Sequence, residues 1–147
     1  MDRPQIRRAT VADAPVLTAL MHASGAYQGN YSSILDGYEI TPAQIERDVI
    51  YLAEQDGRMT GFYSLVPVGE PELDLLFVAD DAQGTGLGAL LIGHMKEQAR
   101  QRGITRIKIV SHPPSAGFYE RMGATRIGTA PSTPKVGWTR PILSLDL

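Results

Sequence analysis

The chain has 147 residues, 43% hydrophobic and 20% charged, which is typical of a globular domain with a buried core, so we expect residues 1–147 to form a single domain. Its net charge of -2 argues against a nucleic-acid-binding surface, where basic residues supply most of the affinity. It has no cysteine, no apolar run near the roughly 20 residues that cross a bilayer and no signal-peptide pattern, so we expect no disulfide, no thiolate chemistry, no membrane contact and a cytoplasmic location.

Helix-start signals and a hairpin turn organise the first half. Thr10 and Asp13, three residues apart, are typical of a helix N-terminus. Pro42 after Thr41 marks another helix start, and the Asp-Gly pair at 56–57 predicts a hairpin. In chain order, the predicted elements are a strand at 5–8, a helix at 10–24, a helix at 41–49, and strands at 50–55, 59–66 and 72–78.

The junction after the last of these strands is the most informative feature. Residues 73–88 read LDLLFVADDAQGTGLG, an apolar strand followed by a glycine-rich turn. Apolar residues then recur at helical spacing over 87–102, which predicts an amphipathic helix. Amides at a helix N-terminus lack intrahelical partners and carry partial positive charge, and glycines let an anion reach them. The junction predicts a phosphate-binding turn, with a purely structural glycine turn as the alternative.

Spacing disfavours a dinucleotide site of the βαβ type. In that pattern the glycines follow the strand directly, and the next strand ends near an acid that binds the ribose. Here residues 79–83 intervene, and the strand predicted at 106–111 has no carboxylate. The remaining predicted elements are a helix at 114–122 and strands at 124–129 and 142–147. Together the elements predict a mixed α/β sheet with helices on both faces.

Two motifs resemble those of one family, the GNAT N-acetyltransferases. Residues 83–88, QGTGLG, fit the family's (Gln/Arg)-x-x-Gly-x-(Gly/Ala) acyl-CoA motif. Residues 115–124, SAGFYERMGA, are similar to its Ala-x-x-Phe-Tyr-x-x-x-Gly-(Phe/Ala) segment, about 30 residues downstream. The resemblance implies a largely antiparallel sheet of six to seven strands with splayed central strands, and acetyl-CoA as the co-substrate between them.

The resemblance also implies which residues contact acetyl-CoA. Backbone groups of Phe77 and Val78 would pair with the pantetheine arm, and the amides of residues 84–89 would bind the pyrophosphate. The full set is Phe77, Val78, Gln83, Gly84, Thr85, Gly86, Leu87, Gly88, Ala89, His112, Ser115 and Phe118. His112 stands where relatives usually have Asn or Asp, and Ser115 replaces a common Ala. His112 is therefore either a pantetheine contact, a second proton carrier or a helix cap.

Direct acyl transfer from a thioester needs a neutral amine and a protonated leaving thiolate. Period-2 alternation predicts that Glu72 and Asp74 lie on one strand face, within reach of one amine as bases; solvated acids at a strand edge are the alternative. By resemblance, Tyr119 donates a proton to the CoA sulfur; its alternative is packing on the apolar face of a short helix.

The acceptor is expected to be an amine of a small molecule or protein. The irregular segments at 25–40 and 131–141 are the predicted sites of specificity. No metal is expected, because His22 and His94 lack ligand spacing. We expect the final strand, at 142–147, either to pair within its own sheet or to complete the sheet edge of a second copy in a homodimer. A non-catalytic acyl-CoA-binding module is the alternative function, and an RNA-modifying enzyme is disfavoured by the acidic balance.

Overall fold

A seven-stranded sheet is the centre of the computed structural model, which describes residues 4–23, 39–111, 113–132 and 139–147. Its strands are β1 (Gln5–Arg8), β2 (Val49–Gln55), β3 (Arg58–Val66), β4 (Glu72–Val78), β5 (Arg106–Val110), β6 (Thr125–Ala130) and β7 (Arg140–Asp146). Their order is β1-β2-β3-β4-β5-β7-β6, and all neighbours are antiparallel except β4 and β5, which are parallel. This confirms the predicted mixed, largely antiparallel sheet.

Helices cover both faces of the sheet, as predicted. They are α1 (Ala14–Ala23), α2 (Pro42–Arg47), α3 (Leu87–Gln101) and α4 (Ala116–Arg121), with 3-10 turns at Val11–Asp13, Asp80–Ala82 and Pro113–Ser115. On one face, Leu91 and Met95 of α3 are buried in a cluster with Ile107 of β5. On the other, Leu17 of α1 is buried in a second cluster with Phe62 of β3.

Three predicted boundaries were wrong by two residues. The helix predicted at 41–49 ends at Arg47, because Val49 is already paired with Leu65 in the sheet. The prolines before α4 form a 3-10 turn, so α4 begins at Ala116 rather than at residue 114. Strand β7 begins at Arg140 rather than at residue 142. The end predicted for the first helix lies outside the described residues.

The parallel strands β4 and β5 pair at a single position, between Glu72 and Lys108. The amide of Lys108 also donates to the carbonyl of Pro71 at 2.9 Å, just before β4 begins. No ladder pairing follows along the described parts of the two strands, so their C-terminal ends are splayed, as the resemblance implied. Strand β7 pairs with β5 and β6 of its own sheet, which is one of the two predicted arrangements for the final strand.

Candidate active site

Two glycines shape the turn between β4 and α3. Gly84 has φ +78° and Gly86 has φ +87°, a left-handed conformation that residues with side chains rarely adopt. A Cβ at either position would meet nothing within 4 Å, so the backbone conformation rather than crowding favours glycine. Gly86 is the N-cap residue of α3, and no side chain caps that end of the helix. The first amides of α3 are therefore available to an anion.

Side chains of the turn fold it back onto the end of β4. The hydroxyl of Thr85 donates to the carbonyl of Ala82 at 2.5 Å. The amide group of Gln83 donates to the carbonyl of Val78 at 3.4 Å and to the carboxylate of Asp80 at 3.3 Å. These contacts stabilise the turn in the conformation that exposes the helix N-terminus.

A cavity of about 610 Å³ opens over this turn, within the size range of small-molecule sites. Its lining includes these predicted site residues: Phe77, Val78, Gln83, Gly84, Gly86, Leu87, Gly88, Ala89, Ser115, Phe118 and Tyr119. It also includes Leu76, Ala82, Pro114, Arg121 and Met122, which were not predicted. Thr85, Glu72 and Asp74 do not line the cavity, and His112 lies outside the described residues.

Helix α4 forms the wall of the cavity that faces the turn. A Cβ at Gly88 would approach the ring of Phe118 to 3.1 Å, so glycine at this position permits close packing of the ring on α3. Phe118 meets Tyr119 edge to face, with ring centroids 5.3 Å apart. Tyr119 is only 9% exposed and still lines the cavity. The packing of these rings fixes the tyrosine at the cavity wall.

Arg121 adds a cation to the cavity, and the sequence carried a signal that would have found it. It lies three residues after Phe118 in α4, so helical spacing puts the two residues on neighbouring positions of one face. Its side chain is exposed, which leaves the guanidinium able to meet a phosphate.

The two predicted bases lie at the beginning of β4, before Leu76, the first residue of that strand that lines the cavity. Glu72 is half-buried, and this burial raises the pKa of its carboxyl; the charge of Asp74 raises the pKa further, while Lys108 opposes the shift. The pKa of Asp74 is also raised, first by the desolvation that surrounding protein imposes and then by the charge of Asp48. The two carboxylates are thus electrostatically coupled and both favour proton binding more than free carboxylates do.

A β-bulge changes the argument that placed these acids together. In the β3–β4 pairing, Leu65 lies opposite Leu73 and Ser64 lies opposite Leu75, so Asp74 is an extra residue on β4. Leu73 then packs in the cluster of α3 while Leu75 packs against the cluster of α1. Strict alternation across this segment was therefore a wrong premise, although the charges of Glu72 and Asp74 do interact.

Two cations on neighbouring strands were missed by the sequence analysis. Lys108 of β5 lies opposite Glu72, and its ammonium is 4.0 Å from the carboxylate of Glu70. Arg140 begins β7, and its charge lowers the pKa of Glu72. Neither could be found from local patterns, because both meet β4 only through the sheet order.

Other predictions concern segments and groups elsewhere in the chain. Of the segments predicted to select the acceptor, residues 25–38 and 133–138 lie outside the described residues. Within the described ranges, no group of three or more His, Asp or Glu side chains is placed to hold a metal ion. No helix in those ranges has the length and apolar character needed to cross a membrane.

Comparison with known proteins identifies the class of protein that has this fold and cleft. A model of the acetyltransferase (GNAT) family matches residues 18–124. The chain belongs to this family, and the resemblance of its two motifs is thereby confirmed.

Curated relatives match over part of their length. The 5-NmdU N-acetyltransferase of Pseudomonas phage PaMx11 is 38% identical over 82 residues, which are 54% of this chain and 59% of that protein. The mycothiol acetyltransferase of Thermomonospora curvata is 34% identical over 82 residues, 52% of this chain and 28% of that protein. The match thus spans less than two thirds of either relative.

Solved structures match over the whole fold. The GCN5-related N-acetyltransferase structure from Rhodopseudomonas palustris has a TM-score of 0.80 at 22% identity and covers 100% of this chain and 98% of that one. PaiA N-acetyltransferase from Thermoplasma acidophilum, solved in complex with coenzyme A, has a TM-score of 0.80 at 17% identity, covering 99% and 100%. At these identities the similarity establishes the fold.

Proposed function

We propose that the protein is an acetyl-CoA-dependent N-acetyltransferase that moves the acetyl group directly to an amine of a small molecule or protein. The observation that carries the proposal is a single cavity bordered by an uncapped helix N-terminus, the end of a splayed strand and a buried tyrosine. Acetyl-CoA needs these three features: the helix N-terminus for its diphosphate, the strand end for its extended arm and the tyrosine for its thioester.

The turn and α4 supply the cofactor contacts in this proposal. The amides of residues 84–89 bind the pyrophosphate, and Arg121 contributes positive charge to the phosphates. Backbone groups of Phe77 and Val78 pair with the pantetheine arm on the side of β4 that faces β5, since their other side is paired with β3. Ser115 and Phe118 line the same path. Thr85 contributes its amide, since its hydroxyl is used within the turn.

Glu72 and Asp74 prepare the nucleophile. An alkylammonium with a pKa near 10.4 is almost fully protonated at pH 7, so a base must take its proton, directly or through water. A raised carboxyl pKa lies closer to the pKa of the alkylammonium, which eases the transfer of its proton. The amine nitrogen then forms a bond to the acetyl carbon as the carbon–sulfur bond breaks.

Tyr119 completes the reaction at the leaving group. Its hydroxyl donates to the departing sulfur and so stabilises or neutralises the thiolate. No covalent enzyme intermediate is needed, because the amine attacks the thioester itself. The proton that leaves the amine and the proton that reaches sulfur balance over the cycle.

Two measurements test this function. Calorimetry with coenzyme A should detect binding, and acetyl-CoA mixed with a broad panel of amines should release free thiol. Binding without thiol release from any amine would favour the non-catalytic acyl-CoA-binding module. An absence of binding would overturn both functions.

The setting of the enzyme is part of the same proposal. We infer one acyltransferase domain over residues 1–147, working in the cytoplasm, and the cysteine-free composition agrees with a reducing compartment. We also infer a homodimer, because β6 is an edge strand of the sheet among the described residues and could pair with a second copy. Gel filtration with light scattering tests it. The names of the curated relatives refer to three different compounds, namely 5-NmdU, mycothiol and amino acids, so the acceptor must be argued from this chain's own residues.

A further inference from the structure

We propose that the acceptor is a zwitterion, an amine with a carboxylate close to it as in an amino acid, and that Arg140 binds this carboxylate. The inference rests on the proposed acetyltransferase function and names its substrate class. It comes from charged groups beside the cofactor cleft that the reaction itself does not use.

The sheet brings Arg140 to the same face as the predicted bases. On β7, Leu143 and Leu145 point into the core cluster of α3, so alternation puts Arg140 on the opposite face. On β5, Ile107 and Ile109 join the same α3 cluster, so Lys108 also lies on the opposite face.

Pairing between the strands adds Glu72 to this group. Lys108 is opposite Glu72 on one side and opposite Ser144 on the other. Leu73, next to Glu72, is buried in the α3 cluster, so Glu72 faces away from α3. Two cations and an acid from three different strands therefore share one face, beside the place where β4 and β5 separate.

The guanidinium of Arg140 is not fully satisfied. The residue is half-buried, and its Nε atom is buried with no hydrogen-bond partner among the described residues. Within the described part of the chain, Arg140 forms no ion pair with Glu72 or Asp74, although its charge is close enough to lower the pKa of Glu72. A buried N–H group without a hydrogen-bond partner is costly, and an anionic ligand that accepts from it removes that cost.

An exposed arginine on the same face makes the contrast clear. Arg106, which is 73% exposed, pairs with Asp146 at 3.2 Å. At this exposure water alone could solvate its charge, so the ion pair is not required. Lys108 is only 31% exposed, and its long 4.0 Å contact with Glu70 leaves it able to bind a second anion. Positive charge is therefore least satisfied close to the predicted bases.

The four charged groups match the two ends of a zwitterion. Glu72 and Asp74 attract the ammonium group and then accept its proton. Arg140 and Lys108 hold the carboxylate, and a guanidinium can bind it through two parallel hydrogen bonds. Because the two cations lie close to the bases, one small zwitterion can contact both pairs of groups.

The test compares amino acids with their primary amides as acceptors of acetyl groups. For each pair, kcat/KM is measured by thiol release, and the ratio of acid to amide is compared between proteins, which cancels the difference in amine basicity. Arg140→Gln should lower this ratio by about 10- to 100-fold, mainly through KM, because a hydrogen bond to a charged group is lost. Arg140→Lys should retain part of the ratio, and Arg126→Gln, on exposed β6, should leave it unchanged.

Each outcome has a defined meaning. An unchanged ratio in Arg140→Gln, or a wild-type enzyme that acetylates only amines without a carboxylate, would overturn the proposal while leaving the acetyltransferase function intact. Coenzyme A binding with no thiol release from any amine would instead remove the function on which it rests. If Arg140→Gln does not fold, Arg140→Lys and Lys108→Gln supply the same ratio, and an unchanged value in both would be equally decisive against it.

Discussion

The cofactor cleft and the acceptor side of the site are built from different materials. The cleft consists of main-chain amides, glycines and aromatic rings from β4, α3 and α4. The acceptor side consists of charged side chains, namely Glu72 and Asp74 of β4, Lys108 of β5 and Arg140 of β7. In the proposed function, the first binds the constant part of every acyl-CoA molecule, mainly through its backbone, whereas the second fits one particular acceptor and uses side chains that can vary.

A similar division is expected within the cleft, between residues that bind the cofactor and a residue that takes part in the reaction. In the proposed mechanism, most of its residues provide shape and amides, and Tyr119 provides the acidic proton. Replacement of Tyr119 by Phe should therefore lower kcat by about 100-fold or more while changing the Kd for coenzyme A by less than about twofold. Steady-state kinetics and calorimetry on the same preparation give both values.

Tyr51→Phe is the matched control for Tyr119→Phe. Tyr51 is also half-buried against α3, but its hydroxyl donates to Gln98 at 3.4 Å, away from the cleft. Its loss should leave kcat within about twofold. A Tyr119→Phe enzyme with wild-type kcat would mean that the cleft contains no acid and only binds.

The second prediction tests whether the turn works through its backbone. Valine at position 86 would need φ +87°, which costs about 1–2 kcal/mol for a residue with a side chain and more for a branched one. Gly86→Val should weaken coenzyme A binding by at least about 10-fold, because the turn must leave the conformation that presents the amides of α3. Isothermal titration calorimetry with coenzyme A measures this change in affinity.

A helical glycine supplies the control for that experiment. Gly93 lies within α3, is exposed, and a Cβ there would meet nothing within 4 Å. Gly93→Ala should stabilise the fold by about 0.5–1 kcal/mol and leave coenzyme A affinity unchanged. Equal affinity losses in both variants would point to a general effect of α3 stability rather than to the turn.

The contrast also explains how much could be predicted from the sequence. The cleft could be predicted almost completely, because its parts are local: Gly84 and Gly86 sit in one turn, and Phe118 and Tyr119 sit side by side in one short helix. Short-range patterns such as helical spacing and positive-φ glycines encode such features directly. Arg121 was within reach of the same reasoning.

The acceptor side could be predicted only in part, for a physical reason. Glu72 and Asp74 were predicted as bases from their spacing, but the bulge that makes Asp74 an extra residue on β4 depends on how β3 pairs with it. Arg140 and Lys108 are brought to Glu72 by the order β4-β5-β7, which follows from packing of the whole sheet. No local pattern encodes a meeting of strands about 30 residues apart or more.

The smallest expected effects come from a comparison of two acids. Asp13 has an ion-pair partner, whereas Glu72 has none among the described residues. Asp13 is paired with Arg7 at 2.9 Å and accepts a hydrogen bond from the amide of Thr10 at 2.7 Å. The guanidinium of Arg7 lowers the pKa of Asp13 to about 2. Glu72, in contrast, has a raised pKa because it is half-buried and forms no ion pair among the described residues. The two carboxylates should therefore affect the free energy of unfolding with opposite signs.

For Asp13, the unfolded carboxyl has the higher pKa, so its stabilisation is present above about pH 4 and is lost as the pH falls toward 2. Asp13→Asn should lower the free energy of unfolding at pH 7 by about 1 kcal/mol, after allowance for the exposure of Arg7. For Glu72, the folded carboxyl has the higher pKa, so stability is lost as the pH rises through that value, and Glu72→Gln should raise Tm at pH 7 but not near pH 4. Thermal unfolding at both pH values measures the pair. A fall in Tm at pH 7 for Glu72→Gln would mean that Glu72 has a stabilising partner, and the charge contrast between the two sides of the site would then be incorrect.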